Sequence, residues 1–227
     1  MLIPDAAPVP TLPVANSDTD LAVRRILCVG QNYAAHAREM GGDPDRAPPF
    51  FFAKPADAIV PGGGMIPYPP RTADLHHEVE LVIAIGRGGS DIAAASARDH
   101  ILGAAVGIDL TRRDLQAEAK KAGRPWDMAK GFDHSAPCAP LTLLTPGMAL
   151  DKGAISLEVN GEIRQQGDLA DMIWSVPEIV AEISTYVALA AGDLIFTGTP
   201  AGVGPLVRGD QVVARVAGLP ELTIEIA

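Results

Sequence analysis

Short apolar runs punctuated by Gly and Pro dominate this chain, and they predict strands more often than helices. RILCVG (25–30) reads as a buried strand ended by a glycine. HEVELVIAIG (77–86), AAVGIDLT (104–111), DLIFTGTPAGVGPL (193–206) and DQVVARVAG (210–218) read as further strands with Gly-rich turns. FFFAKPADAIV (50–60) carries a strand with a Lys-Pro step, and PGGGMIPYPPRTADLHH (61–77) predicts loop. ISLEVNGEIRQQG alternates on both sides of Asn160-Gly161, the strongest short signal for a hairpin.

Helical patterns are fewer. QNYAAHAREM begins helically from Gln31 and breaks at Gly41-Gly42, and the Pro-rich continuation to Pro49 has the look of a flap. DIAAASARDHILG (91–103) predicts a short Ala-rich helix, and RRDLQAEAKKAG (112–123) a polar one ended by Gly123 and Pro125. Ser175 and Glu178 have capping-box spacing with Pro177 between them. The helix they open places Ile179, Val180, Ile183, Tyr186 and Val187 on one face and ends near Gly192-Asp193. Residues 1–20 are Pro-rich and predict an extended arm, followed by a single domain over 21–227. The strand and helix spacing does not spell a βαβ series, so an α+β fold around a large folded sheet is expected.

Composition narrows the class. Of 227 residues, 48% are hydrophobic and only 4% aromatic, so the core must come from Val, Ile, Leu and Ala. The net charge of −10 argues against nucleic acid or an anionic membrane as partner. A small anionic substrate would need a local positive site. Cys28 and Cys138 predict two reduced core thiols. No run reaches the ~18 apolar residues of a membrane span, and without a signal-peptide pattern a cytoplasmic protein is expected.

The candidate chemistry begins at Glu78 and Glu80. Side chains two apart on a strand share a face, so both carboxylates point away from Val79, Leu81, Ile83 and Ile85. An isolated Glu-x-Glu is common at solvent-facing strand ends. Here Asp109 ends the next apolar strand, and three carboxylates from neighbouring strand ends suit a hard cation, Mg2+ or Mn2+. No closely spaced Cys/His set favours zinc. Arg112, Arg113, Gln116 and Lys130 follow and would suit a substrate with carboxylate or enolate oxygens. His36 and Glu39, three apart on a helix, could form an acid-supported general base, although such pairs are often surface decoration. FTGTPAGVG (196–204) offers backbone N–H groups and the Thr199 hydroxyl for an anion; it also reads as a plain Gly-rich turn.

GQNYAAHAREMG, FFFAKPADAIV, HHEVELVIAIG, GIDLTRRDLQ, AKGFDHSAP and FTGTPAGVG, in this order, resemble the fumarylacetoacetate hydrolase family over nearly the whole chain after residue 20. The resemblance implies mixed β-sheets rolled into a sandwich- or barrel-like core with a few short helices, usually as a homodimer. It implies a divalent metal, Mg2+, Mn2+ or Ca2+, held by Glu78, Glu80 and Asp109. It places the family's catalytic His-Glu dyad, on a lid, at His36 and Glu39, and Lys130 with the catalytic groups. Substrate binding falls on Arg113, Gln116, Lys54 and Thr199. Longer members add an acidic ligand from an N-terminal domain, so three carboxylates with water and substrate are expected here.

Within the family, PPFFFAKP, PYPPRT and the run from Asp109 to Pro137 look most like the fumarylpyruvate hydrolases of gentisate breakdown. The implied reaction is hydrolysis of a carbon–carbon bond in a 2,4-dioxo acid, with a dioxo-dicarboxylate as the small-molecule partner. Acylpyruvate hydrolysis and oxaloacetate decarboxylation or tautomerisation are the alternatives, and a silent metal- and diacid-binding protein is a further one. His76 lies beside the site with no role assigned.

Overall fold

The computed structural model describes residues 8–39 and 48–227. Its largest sheet has eight strands. Seven run in the order Phe50–Lys54, Arg25–Gly30, Asp193–Phe196, Val79–Ile85, Ile101–Ile108, Ala136–Cys138 and Ile59–Pro61. Thr142–Leu143 also pairs with Ile101–Ile108. A second sheet has five strands: Glu162–Asp168, Ala154–Val159, Gln211–Val216, Leu222–Ile226 and Gly64–Ile66. A three-stranded sheet joins Thr111–Arg112, Leu75–His77 and Gly204–Leu206. Parallel and antiparallel pairs mix, and the sheets curl into a half-barrel with only short helices, the α+β architecture expected.

The strand Val79–Ile85 shows why the fold is two-sided. All seven residues are buried. Val79, Leu81, Ile83 and Ile85 face the larger core, shared with Ile155, Leu157, Val212 and Ile224 of the five-stranded sheet and Ile179, Val180 and Ile183 of a helix. Val82 and Ala84 face a smaller core with Ile26, Cys28, Leu141 and Phe196. Leu12 closes that smaller core from the N-terminal segment, where Thr11–Pro13 pairs with Asp20–Ala22. Both cysteines are buried and free, as expected.

Asn160 (φ 53°) and Gly161 (φ 80°) make the hairpin turn, both in the left-handed region that a two-residue type I′ loop demands. Glu178 closes the capping box by accepting from the Ser175 N–H at 3.0 Å, and the helix Val176–Tyr186 follows. That helix is shorter than expected: Val187 is already extended, and Tyr186 is 67% exposed instead of facing the core.

Two further expectations change. The Pro/Gly run 61–77 contributes strands Gly64–Ile66 and Leu75–His77, because each finds a distant partner, Leu222–Ile226 and Gly204–Leu206 respectively. The Ala-rich run forms only a 3-10 helix, Ala94–His100, and Ile101 starts the next strand. Of the expected flap, the helix Ala34–Glu39 is present, and residues 40–47 lie outside the described residues.

Candidate active site and metal centre

Cross-strand register assembles the acidic cluster. Glu80 pairs with Gly107 and Val79 with Ile108, so the next residue, Asp109, falls beside Glu78 and donates its N–H to the Glu78 carbonyl at 2.8 Å. Directly paired residues share a face. The same face carries Val82, Phe196, Cys28, Phe52 and, at the sheet edge, Lys54. Glu78 sits at a break, between Leu75–His77 of the three-stranded sheet and Val79–Ile85 of the large one. Where the chain changes sheets, side-chain oxygens of Glu78, Glu80 and Asp109 come within 4.8 Å of one another, all three residues buried.

Three cations surround them. Lys130 Nζ donates to Asp109 Oδ2 at 2.6 Å, Glu78 Oε2 at 2.8 Å and Thr111 Oγ1 at 2.7 Å. Arg113 donates to the other Glu78 oxygen and to Gln116 Oε1. Lys54 lies below, donating to the Leu110 and Lys130 carbonyls, with its Nζ 2.8 Å from Asp109 Oδ1. That last approach is a charge contact, and among the described residues Asp109 Oδ1 accepts no hydrogen bond.

Burial alone would raise the Glu78 carboxyl, but Lys130 and Arg113, with His36, outweigh it and hold it well below the usual carboxylate range. Burial likewise disfavours the Lys130 charge, and Asp109 and Glu78 reverse the effect, raising its pKa. Glu80 differs. Burial first, then the charges of Asp109 and Glu78, push it well above the ordinary value, against the opposing Gly198 N–H. Among the described residues no ion pair reaches Glu80, and its carboxyl lies with those of Glu78 and Asp109 as three buried oxygen donors within 4.8 Å, a set that a hard divalent ion satisfies. The residues fit a divalent metal.

The cleft beside this cluster, about 360 Å³ with its open mouth, is lined by His36, Gln116, Thr199, Gln31 and an aromatic wall. Trp126 meets Phe50 edge-on with ring centroids 5.3 Å apart, and Phe52 lies 6.0 Å from Trp126 and 5.0 Å from Lys130 Nζ. Gly30 makes room for that wall, since a Cβ there would meet the Phe50 ring at 2.0 Å. His36 is 5% exposed. Burial and Arg113 lower its pKa, outweighing Glu78 and Glu39, so the ring is neutral near pH 7. Its Nδ1 lies 3.5 Å from Glu39 Oε2, and the Gly202 N–H donates to both Glu39 oxygens at 3.1 and 3.2 Å.

The structure thus brings His36, Glu78, Glu80, Asp109, Arg113, Gln116, Lys130 and Thr199 to one cleft, with Glu39 behind His36. Lys54 is beneath its floor, supporting Asp109. Arg112 turns away, donating to the Met128 carbonyl and stacking on Phe132. Two N–H groups of the 196–204 turn serve protein carboxylates, Gly198 holding Glu80 at 2.7 Å and Gly202 holding Glu39, while that of Thr197 donates to the Leu81 carbonyl.

Sequence reasoning missed three supports. His76 accepts from Arg113 Nε at 3.4 Å and donates to Asp74 Oδ1 at 2.9 Å, so it braces that arginine. Thr111 accepts from Lys130. Gln165, fully buried, bonds to Val79, His77, Thr199 and Pro200. In the run EIRQQGD nothing local distinguishes it from its exposed neighbours.

Residues 25–227 match the family model described as fumarylacetoacetate hydrolase, C-terminal. A fumarylpyruvate hydrolase from Ralstonia sp is 44% identical over 177 residues, covering 78% of this chain and 92% of that protein. The human mitochondrial oxaloacetate tautomerase FAHD1 is 40% identical over 203 residues, 89% of this chain and 91% of its own length. The crystal structure of Pseudomonas aeruginosa fumarylpyruvate hydrolase in complex with Mn2+ and pyruvate superposes with a TM-score of 0.95 at 49% identity, covering 100% of this chain and 99% of that one.

Proposed function

The chain belongs to the fumarylacetoacetate hydrolase family, and from that premise we propose that it hydrolyses a carbon–carbon bond of a 2,4-dioxo acid, fumarylpyruvate, to fumarate and pyruvate. The observation that carries the reading is a buried imidazole, His36, sharing a cleft with three buried carboxylates fit for a metal. The similar fumarylpyruvate hydrolases support the choice of substrate. Charge supports it too. Once a divalent ion has displaced the Glu80 proton, the three carboxylates Glu78, Glu80 and Asp109 balance the three cations Lys54, Lys130 and Arg113, and the ion's own charge prepares the site for a dianion.

Glu78, Glu80 and Asp109 would hold Mg2+ or Mn2+, which supplies Lewis-acid polarisation of the 2-oxo acid end. Glu39, pinned by the Gly202 N–H, accepts from His36 Nδ1–H and leaves Nε2 free to take a proton from water. The water oxygen bonds to the C4 carbonyl carbon. The C3–C4 bond then breaks, its electron pair leaving as the enolate of pyruvate, and C3 recovers a proton from the imidazolium. Lys130, its three protons held by Asp109, Glu78 and Thr111, would stabilise the developing enolate through its charge. Arg113 and Gln116, braced together, bind anionic or carbonyl oxygens, and the Phe50–Trp126 wall packs the planar conjugated chain. The same reading places the protein in the cytoplasm, in gentisate degradation, as a homodimer.

The deciding measurement is Mg2+- or Mn2+-dependent loss of enol absorbance with fumarylpyruvate, maleylpyruvate, acetylpyruvate and oxaloacetate. Turnover of fumarylpyruvate is expected, and a flat response to the first three would refute hydrolysis. The second reading, oxaloacetate tautomerisation, is favoured by the 40% identity to FAHD1. It needs no activated water to attack carbon.

A further inference from the structure

The polar strand Glu162–Asp168 turns Gln165 fully inward. Two backbone groups of opposite kind orient its amide. The Val79 N–H can only donate, 3.0 Å from Oε1, and the Pro200 carbonyl can only accept, 2.9 Å from Nε2. The other two bonds inherit their direction: His77 Nδ1–H donates to Oε1 at 3.0 Å, and Nε2 donates its second proton to Thr199 Oγ1 at 2.8 Å. A hydroxyl that accepts on its buried side keeps its own proton to give. Thr199 lines the cleft, and its neighbour Gly198 holds Glu80, so that proton is presented at the metal end.

We propose that Gln165 is a positioning residue: by fixing Thr199 as acceptor on its buried side, it makes the hydroxyl a donor to an anionic oxygen of the bound 2-oxo acid. The ligand class rests on the dioxo-acid reading above. The energetic content is one charge-assisted hydrogen bond made with no reorganisation of the hydroxyl.

The test is calorimetric binding of oxalate, a stable dianion shaped like pyruvate enolate, to the full chain at saturating Mn2+. Thr199→Val and Gln165→Met are each expected to weaken oxalate about tenfold, the worth of one such bond. The double variant should lose no more than the weaker-binding single, and Thr199→Ser should bind like wild type. Should Gln165→Met not fold, Gln165→Asn takes its place, its amide one carbon too short to span Val79 and Thr199. Unchanged binding by Thr199→Val, or single losses that add in full, would overturn the proposal. A wild type that binds oxalate but turns over no dioxo acid would refute the hydrolase reading and leave the oxalate cycle to decide Gln165.

Discussion

The Gly198 N–H donates to Glu80 Oε2 at 2.7 Å, so a turn near the C-terminus holds a carboxylate 118 residues earlier in the chain. Four residues on, Gly202 does the same for Glu39. Gly198 (φ +100°) lies so close to Asn32 that a Cβ would meet the Asn32 Cβ at 2.6 Å, which packs the turn against the start of the His36 segment. One Gly-rich turn therefore holds a metal-facing carboxylate and the acid of the proposed dyad together.

Neutralising the acidic pair should abolish metal binding while sparing the fold. Glu78→Gln with Glu80→Gln is expected to weaken Mn2+ by more than the roughly 10–100-fold that loss of an outer-shell partner costs. Calorimetry measures the affinity, and an unchanged circular dichroism spectrum shows that the sheets persist.

Metal binding should release a proton. Burial, then Asp109 and Glu78, raise the Glu80 pKa, so the metal-free carboxyl holds its proton above the usual carboxylate range. Its stabilising contribution in the metal-free protein is present below the ordinary value and is lost as pH rises through the raised one. A divalent ion expels the proton, so Mn2+ affinity should rise with pH. Titration in two buffers of different ionisation enthalpy checks the proton count.

His36→Ala should lower kcat for fumarylpyruvate by about 10²–10⁴-fold, the range of general-base catalysis. Oxaloacetate tautomerisation, if present, should suffer less. Because the His36 pKa is lowered, the acid limb of kcat/KM should fall below the ordinary imidazole value of about 6.5. A pH–rate profile of the wild type locates it.

Lys54 is a buried cation under Asp109, with both atoms of the contact fully enclosed. Lys54→Met should destabilise the metal-free protein by about 3–5 kcal/mol, the cost of breaking a buried pair. Added Mn2+ should restore part of that loss by replacing the missing charge. Urea unfolding with and without Mn2+ measures both.

Local chemistry determined a large share of this protein. Alternation put Glu78 and Glu80 on one face and Val79, Leu81, Ile83 and Ile85 on the other, and the structure keeps both assignments. Asn160-Gly161 made a hairpin and Ser175 with Glu178 a helix start, because each is satisfied within a few residues. The tertiary structure decided what local pattern cannot carry. Gly64–Ile66 and Leu75–His77 are strands only because distant edges pair with them. Lys54 sits under the floor of the cleft because its strand, at the edge of the large sheet, carries the register face through to Asp109. Gln165 is the buried residue of a polar run, since the turn covering it lies more than thirty residues away. The Gly198 and Gly202 N–H groups of that turn could have met a substrate anion. They meet Glu80 and Glu39 instead, because a donor's partner is set by which segments the fold brings within hydrogen-bond reach.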